Sequence, residues 1–298
     1  MKLATFAMSG AAPSYGVVRG DRIVVPSASF RRQYPSLRSV LGKVELLARE
    51  TGDSAKSFAL NSVRLLPPIP APDKIICVGI NYVGHREETG RAESAYPAIF
   101  VRFADSQIGS LAPIVRPRIS HALDFEGELA VIIGGGGRYI ERERALEHVA
   151  GYSCYNDVSV RDWQRHTHQF TPGKNFPNTG AFGPWLVTAD EIPDPGKLLL
   201  TTRLNGDTVQ HARTADMIFS VPEIIAYVSS FTKLTPGDVI ATGTPGGVGF
   251  KRTPPLYLKA GDEVAVEISL IGTLRNCVIE ELETDDDRPL PQALHAYS

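Results

Sequence analysis

Apolar positions along the chain fall mostly in short runs bounded by glycine, proline and serine, the punctuation of strands and turns. "LATFAM", "YGVVRG" and "RIVVPS" predict short strands near the start. Helical spacing then takes over at Leu37, Val40, Leu41, Val44 and Leu47, with Gly52 close behind as a stop. The proline-rich "LLPPIPAPDK" suits an extended connector, so we place a boundary there. It divides a small N-terminal domain, residues 1–66, from a larger domain, residues 67–298. In the larger part strands dominate: "KIICVGI", "AIFVRFA", "ELAVIIG", "GYSCYND", "KLLLTTRLN", "DVIATG" and "DEVAVEISLIG". Asn205-Gly206 in "RLNGDTVQ" predicts a two-residue hairpin. Helical patterns are fewer, at "ERERALEHV", "VSVRDWQRH" and "SVPEIIAYVSSF". Many strands without regular strand–helix alternation predict an α+β or mixed β architecture rather than a doubly wound sheet.

Composition narrows the class further. A chain of 298 residues can bury roughly three quarters of its unfolded surface, so a sizeable core is available. Lys and Arg total 31 against 33 Asp and Glu, and a net charge of -2 makes no electrostatic case for nucleic acid or an anionic membrane. "MKLATFAMSG" is too short in its apolar run for a secretory signal, and no stretch approaches a membrane span. Cys77, Cys154 and Cys277 are odd in number and widely spaced, and Cys77 and Cys277 sit in apolar runs. They read as reduced, buried small hydrophobes of a cytoplasmic protein.

Candidate chemistry starts at "DFEGELAVII", residues 124–133. Glu126 and Glu128 are two positions apart at the start of an apolar strand and so share a face. Like charges side by side repel, and burial makes that worse. Either the face is solvated or a hard divalent cation compensates the pair. Asp157 ends another apolar run, where it is a third carboxylate or a helix N-cap. Arg161 and Gln164 follow at four and seven residues, which predicts one helical face carrying all three. That face suits a metal and an anionic ligand together, or else a structural Asp157–Arg161 bridge. His85 and Glu88 are spaced to meet on a helical turn, as a base for activating water or as part of a solvated, closing loop. Lys174 is a lone lysine in a Gly- and Pro-containing loop, the usual setting of a surface lysine. Arg102 lies mid-strand among apolar residues and needs a partner. "DVIATGTPGGVGF" is neither a P-loop nor a dinucleotide fingerprint; its glycines admit close backbone approach or turn the chain. His166 and His168 read as surface residues.

Seven segments together resemble the fumarylacetoacetate hydrolase family, in family order over about residues 72–270: "GINYVGHREE", "PAIFVRFADSQIG", "DFEGELAVIIG", "GYSCYNDVSVRDWQ", "GKNFPNTGAFGPWLV", "LNGDTVQHARTADMIFSVPEIIAYVS" and "LTPGDVIATGTPGGVG". The resemblance implies an α+β fold, a mixed β-sandwich roll behind a small N-terminal α+β domain, assembled as a homodimer. It implies Mg²⁺ or Mn²⁺ held by Glu126, Glu128 and Asp157, and a water-activating His85 and Glu88 on a lid. Lys174 matches the family's active-site lysine, Arg161 and Gln164 its polar helix positions, and Thr244 the second threonine of its "TGTP" turn. Related acylpyruvate hydrolases commonly carry lysine where this chain has Arg102, and a planar fork reads carboxylates bidentately. A second carboxylate on the substrate is therefore expected.

The reaction expected from this resemblance is hydrolysis of a C–C bond in a 2,4-dioxo acid, an acylpyruvate such as fumarylpyruvate or maleylpyruvate, in aromatic-compound breakdown. The metal would stabilise the departing pyruvate enolate, His85 would activate water, and Lys174 would stabilise an oxyanion or protonate the enolate. Oxaloacetate decarboxylase, 2-oxo-enoate isomerase and sugar-acid dehydratase are the competing expectations, since one such site serves several reactions. These need no attacking water and would survive loss of His85 better. A non-catalytic binding protein is the remaining alternative, discriminated by failure to bind Mg²⁺ or Mn²⁺.

Overall fold

In the computed structural model, which describes residues 1–52 and 55–283, the strands assemble into two main mixed sheets. In hydrogen-bonded order the larger one runs Ser57–Ala59, Arg22–Val24, Ser14–Arg19, Lys2–Ala7, Gly180–Thr188, Val149–Asp157, Gly127–Ile133, Val239–Ala241, Ile75–Gly79 and Ala98–Arg102. The smaller runs Asp207–Arg213, Leu199–Leu204, Glu263–Ile268, Gly272–Glu280 and Ile114–Arg116. Pairing is mostly antiparallel; Val239–Ala241 lies parallel to Ile75–Gly79, and Gly272–Glu280 parallel to Ile114–Arg116. The few helices leave this an α+β fold, as the run pattern predicts.

The strand that positions the site is Gly127–Ile133, buried along its whole length. Its alternation feeds two cores. Leu129, Val131 and Ile133 join one hydrophobic cluster with Leu200 and Val266 of the smaller sheet. Ala130 and Ile132 join another with Cys77, Phe100, Tyr155 and Phe182. Each fully buried Leu, Val or Ile contributes roughly 1.5–3 kcal/mol, and a one-residue slip would swap the two faces, so the register is firmly held. Gly127 shows why a glycine separates the two glutamates. A Cβ there would lie 2.1 Å from Thr202 Oγ1 and 3.3 Å from Val266, because the smaller sheet passes directly over it. Glu126 and Glu128 are thereby sent to the opposite face.

Residues 1–66 do not form a sheet of their own. Lys2 and Leu3 pair with Val187 and Leu186, and Phe6 and Ala7 pair with Leu65 and Arg64. Positions Leu3 to Ala7 are all buried, so this strand needs partners on both sides, and a continuous ladder crosses the boundary drawn at the proline-rich stretch. Leu37, Val40, Leu41 and Leu47 are buried as their spacing predicts. They belong to two short pieces, a 3₁₀ turn over Leu37–Lys43 and an α-helix over Val44–Glu50. Gly42 is a poor helix former, and Lys43 breaks the run with φ -145°. The Asn205-Gly206 hairpin forms, with φ 53° and 90° between Leu204 and Asp207. Cys77 and Cys154 are buried, but Cys277 is exposed, contrary to expectation. On its strand Leu274, Asn276 and Val278 face inward, and the period of two turns Cys277 outward. Among the described residues no helix is long and apolar enough to cross a membrane.

Candidate metal centre and its cavity

The triad follows from strand register. Gly127 pairs with Asn156 and Glu128 with Tyr155, and the Asp157 N–H donates to the Glu126 carbonyl at 2.8 Å. Side chains of Glu126, Glu128 and Asp157 thus emerge on one face at the end of the strand pair. One oxygen from each lies within 4.8 Å of the others, and all three residues are buried. Asp157 is neither a helix N-cap nor on a helix with Arg161 and Gln164. Ser159–Val160 continues as strand against Leu123–Asp124, and only Arg161–Gln164 forms a single helical turn. The three residues still converge, through a strand corner rather than along a helical face.

Three buried cations surround the triad. Lys174 Nζ lies 2.6 Å from both Glu126 Oε2 and Asp157 Oδ2 and is 1% exposed, so it is no surface lysine. Arg161 Nη1 forms an ion pair with Glu126 Oε1 at 2.6 Å, and its Nε donates to Asp124 at 2.8 Å. The Asp157–Arg161 bridge is not formed; Asp157 instead takes Arg102, whose Nη1 lies 2.6 Å from Oδ1. Arg102 also donates to the Val158 carbonyl and Thr179 Oγ1 and is fully enclosed. It lies behind the triad and does not line the cavity, so the expected contact with a second substrate carboxylate has no geometry to support it. A mid-strand arginine in a dry interior is held by whatever carboxylate the core supplies, here Asp157.

Electrostatics separates the two glutamates. Burial raises both carboxyls; at Glu126 the charges of Arg161 and Lys174 overcome it and bring the pKa down to about 2. At Glu128 burial is joined by repulsion from Asp157 and Glu126, which holds it well above the carboxylate range. Its hydrogen-bond donor among the described residues is the Gly243 N–H at 2.8 Å. With all four ionised, Asp124, Glu126, Glu128 and Asp157 would exceed Arg102, Arg161 and Lys174 by one negative charge, and a proton on Glu128 removes that surplus. A hard divalent cation, Mg²⁺ or Mn²⁺, held by Glu126, Glu128 and Asp157 would do the same in place of that proton, and the buried oxygen donors fit it.

The Gly-rich turn holds acids with its backbone. Gly243, Gly247 and Gly249 donate N–H bonds to Glu128, Glu88 and Asp124 at 2.8, 3.1 and 2.8 Å. Gly243 and Gly247 have φ +102° and +100°, and a Cβ at either would strike backbone oxygen, so glycine is required there. Thr244 is buried on the cavity wall, its hydroxyl donating to the Gly127 carbonyl and accepting from Gln210.

A cavity of about 250 Å³ opens over the triad, lined by Glu126, Glu128, Lys174, Arg161, Gln164 and His85 among others. His85 sits on the helix Val83–Thr89, and its Nδ1 lies 3.2 Å from Glu88 Oε2. Gln164 accepts from Arg161 at 2.9 Å, which leaves its amide N–H groups for the cavity. His166 and His168 are exposed, as expected. Sequence reasoning passed over Asp124, although it continues the Glu126/Glu128 alternation by one step. It also missed Gln210 and the cavity residues Arg91, Arg165, Phe250 and Lys251.

A buried carboxylate triad at the floor of a cation-lined cavity, on a mixed two-sheet scaffold, defines a divalent-metal type of enzyme centre. The model of the fumarylacetoacetate (FAA) hydrolase C-terminal domain matches residues 74–279, and the chain belongs to that family. A mitochondrial oxaloacetate tautomerase from Homo sapiens is 45% identical over 221 residues, covering 74% of this chain and 70% of the relative. Among solved structures, a 2-hydroxyhepta-2,4-diene-1,7-dioate isomerase from Mycobacterium marinum matches with TM-score 0.77 and 33% identity, over 95% of this chain and 100% of that one. Maleylpyruvate hydrolase from Sphingobium sp. SYK-6, in complex with manganese (II) ion and pyruvate, matches with TM-score 0.78 and 29% identity, over 95% and 100%.

Proposed function

We propose that this protein enolises short 2-oxo dicarboxylic acids, with keto–enol interconversion of oxaloacetate as its reaction. The observation that carries the proposal is the placement of His85 on the cavity that opens over the carboxylate triad. Its Nδ1 is engaged by Glu88, which fixes the tautomer and leaves Nε2 to carry the proton between the substrate's C3 and its 2-oxygen. Arg161 and the Gln164 amide orient the 1-carboxylate. Lys174, tied to Glu126 and Asp157, keeps those side chains in place and offsets their charge. A divalent ion held by Glu126, Glu128 and Asp157 would supply Lewis-acid stabilisation of the negative charge that develops on the 2-oxo oxygen. The likeness to an oxaloacetate tautomerase supports this choice over the acylpyruvate hydrolysis expected from sequence.

Hydrolysis remains the second reading. A His85–Glu88 pair can equally take a proton from water, and a maleylpyruvate hydrolase is among the structural likenesses. Because His85 lines the cavity, its loss should abolish either reaction, so products and not that variant separate them. The test follows decay of enol-oxaloacetate absorbance, and pyruvate release from an acylpyruvate panel, with Mg²⁺ or Mn²⁺ and then with chelator. Metal-dependent enol decay without pyruvate supports the tautomerase. Pyruvate released with a stoichiometric second acid from an acylpyruvate moves the assignment to hydrolase.

A further inference from the structure

The inner cations of the cavity are paired with carboxylates, with Arg161 Nη2 left without a hydrogen-bond partner among the described residues to meet a first substrate carboxylate, whereas the mouth carries cations with no carboxylate partner. Arg91, Arg165 and Lys251 line the same 250 Å³ space, all three are exposed, and none has a carboxylate partner among the described residues. Arg165 is held there by local structure. It caps the one-turn helix Arg161–Gln164, four residues after Arg161, so both guanidinium groups project the same way. They share one aromatic ring, with Arg161 Cζ 4.3 Å and Arg165 Cζ 4.4 Å from the centroid of Phe250, and Lys251 Nζ 5.7 Å from it. Stacking on the ring face restrains the Arg165 side chain without neutralising it. A second, outer cleft of about 580 Å³ shares Arg91, Gln164, Arg165 and Phe170 with the inner cavity and adds His166 and His168. Arg91 and Arg165 therefore stand at the junction of the two spaces. Like charges gathered there repel one another unless an anion enters.

We propose that Arg165 and Arg91 form a second carboxylate subsite, which reads the distal carboxylate of a dianionic 2-oxo acid whose first carboxylate meets Arg161 and Gln164. This rests on the proposed use of 2-oxo acids and deepens it, moving dicarboxylate selection from the enclosed Arg102 to the cavity mouth. A planar guanidinium with no partner offers the bidentate donors that a carboxylate requires. The continuity with the outer cleft means that diacids longer than four carbons would extend outward past Arg165 rather than into the core.

The test is equilibrium binding, which no reaction complicates. Two probes that can neither enolise toward C3 nor lose carbon dioxide as 3-oxo acids, 3,3-dimethyl-2-oxoglutarate and 3,3-dimethyl-2-oxopentanoate, differ only in a carboxylate replacing a methyl. Their dissociation constants are measured by calorimetry on the Mg²⁺-loaded protein. The wild type should bind the diacid at least about tenfold more tightly than the monoacid. Arg165→Gln and Arg91→Gln should each cut that ratio severalfold, the double variant should bring it near one, and Arg165→Lys, which keeps the charge but not the bidentate fork, should fall between wild type and Arg165→Gln. A wild-type ratio near one, a ratio unchanged in the double variant, or equal loss of both probes would overturn the subsite. A retained ratio that falls in the variants, with no oxaloacetate turnover by wild type, would leave the subsite standing and refute the tautomerase reading instead.

Discussion

Two sets of cations face the same cavity under opposite rules. Arg161 and Lys174, with Arg102 behind them, are buried, and each lies within 2.6–2.8 Å of one or more carboxylates. Arg91, Arg165 and Lys251 are exposed at the mouth and have no such partner among the described residues. The contrast follows from solvation. An unpaired charge in the interior costs several kcal/mol, so an inner cation must arrive with its counter-ion. One at the mouth keeps its water and can exchange it for a ligand. Position in the site therefore decides role: the inner set fixes the geometry and charge of the triad, with Arg161 Nη2 left over for the first carboxylate, and the outer set is available for selection.

The sharpest way to break that contrast is at Arg102. Arg102→Met removes one of the two cationic partners of the buried Asp157 carboxylate and should cost about 3–5 kcal/mol, with Tm falling on the order of 10 °C. If Tm held and only KM for a diacid rose, Arg102 would belong with the substrate-reading cations after all. Lys174→Met should lower kcat by roughly a thousandfold, since it unbalances the charge at the triad; single-turnover rates would show a smaller loss if the residue were merely structural. Asp124→Asn loosens Arg161, the Phe125, Gly249 and Phe250 N–H groups being its other partners among the described residues. It should raise KM about tenfold, with kcat changed less. Arg165→Gln should move Tm by no more than about 2 °C, because an exposed, unpaired side chain supports little structure.

A carboxylate remote from both regions sets the scale of ordinary stabilisation. Glu223 accepts from the Ser220 N–H at 2.8 Å at the start of the helix Val221–Phe231. The Ser220 hydrogen bonds hold its pKa below the usual 4.5. A folded pKa below the unfolded one contributes stability above the unfolded value and loses it as pH falls through the folded value. Glu223→Ala should therefore cost about 1 kcal/mol or less at neutral pH. The difference from wild type should shrink as a denaturation series is carried below pH 4.5.

The legibility of these features in the sequence tracks the range of the interaction. Glu126 and Glu128 were readable because strand alternation is local and periodic, and Asp157 because it ends a run that pairs with theirs. The Asn205-Gly206 hairpin was readable from two residues. Lys174 is readable only through the family resemblance: its loop has the composition of any surface loop, and its partner Glu126 lies 48 residues away. Arg102 declared that it needed a partner but not which one. The route joining Asp157 to Arg161 was misread, since i, i+4 spacing is satisfied as well by a strand corner followed by one helical turn. The mouth cations lay in polar segments that give no signal until Phe250 and the helix end are brought together.

Every role proposed for the cavity depends on Glu126, Glu128 and Asp157 holding one divalent ion. The direct measurement is titration of the wild type and Glu128→Gln with Mn²⁺, read by calorimetry and by the electron paramagnetic resonance of free Mn²⁺. One ion per chain in the wild type, with affinity reduced at least tenfold in the variant, is the predicted result. No binding by the wild type, or equal binding by both, would contradict it.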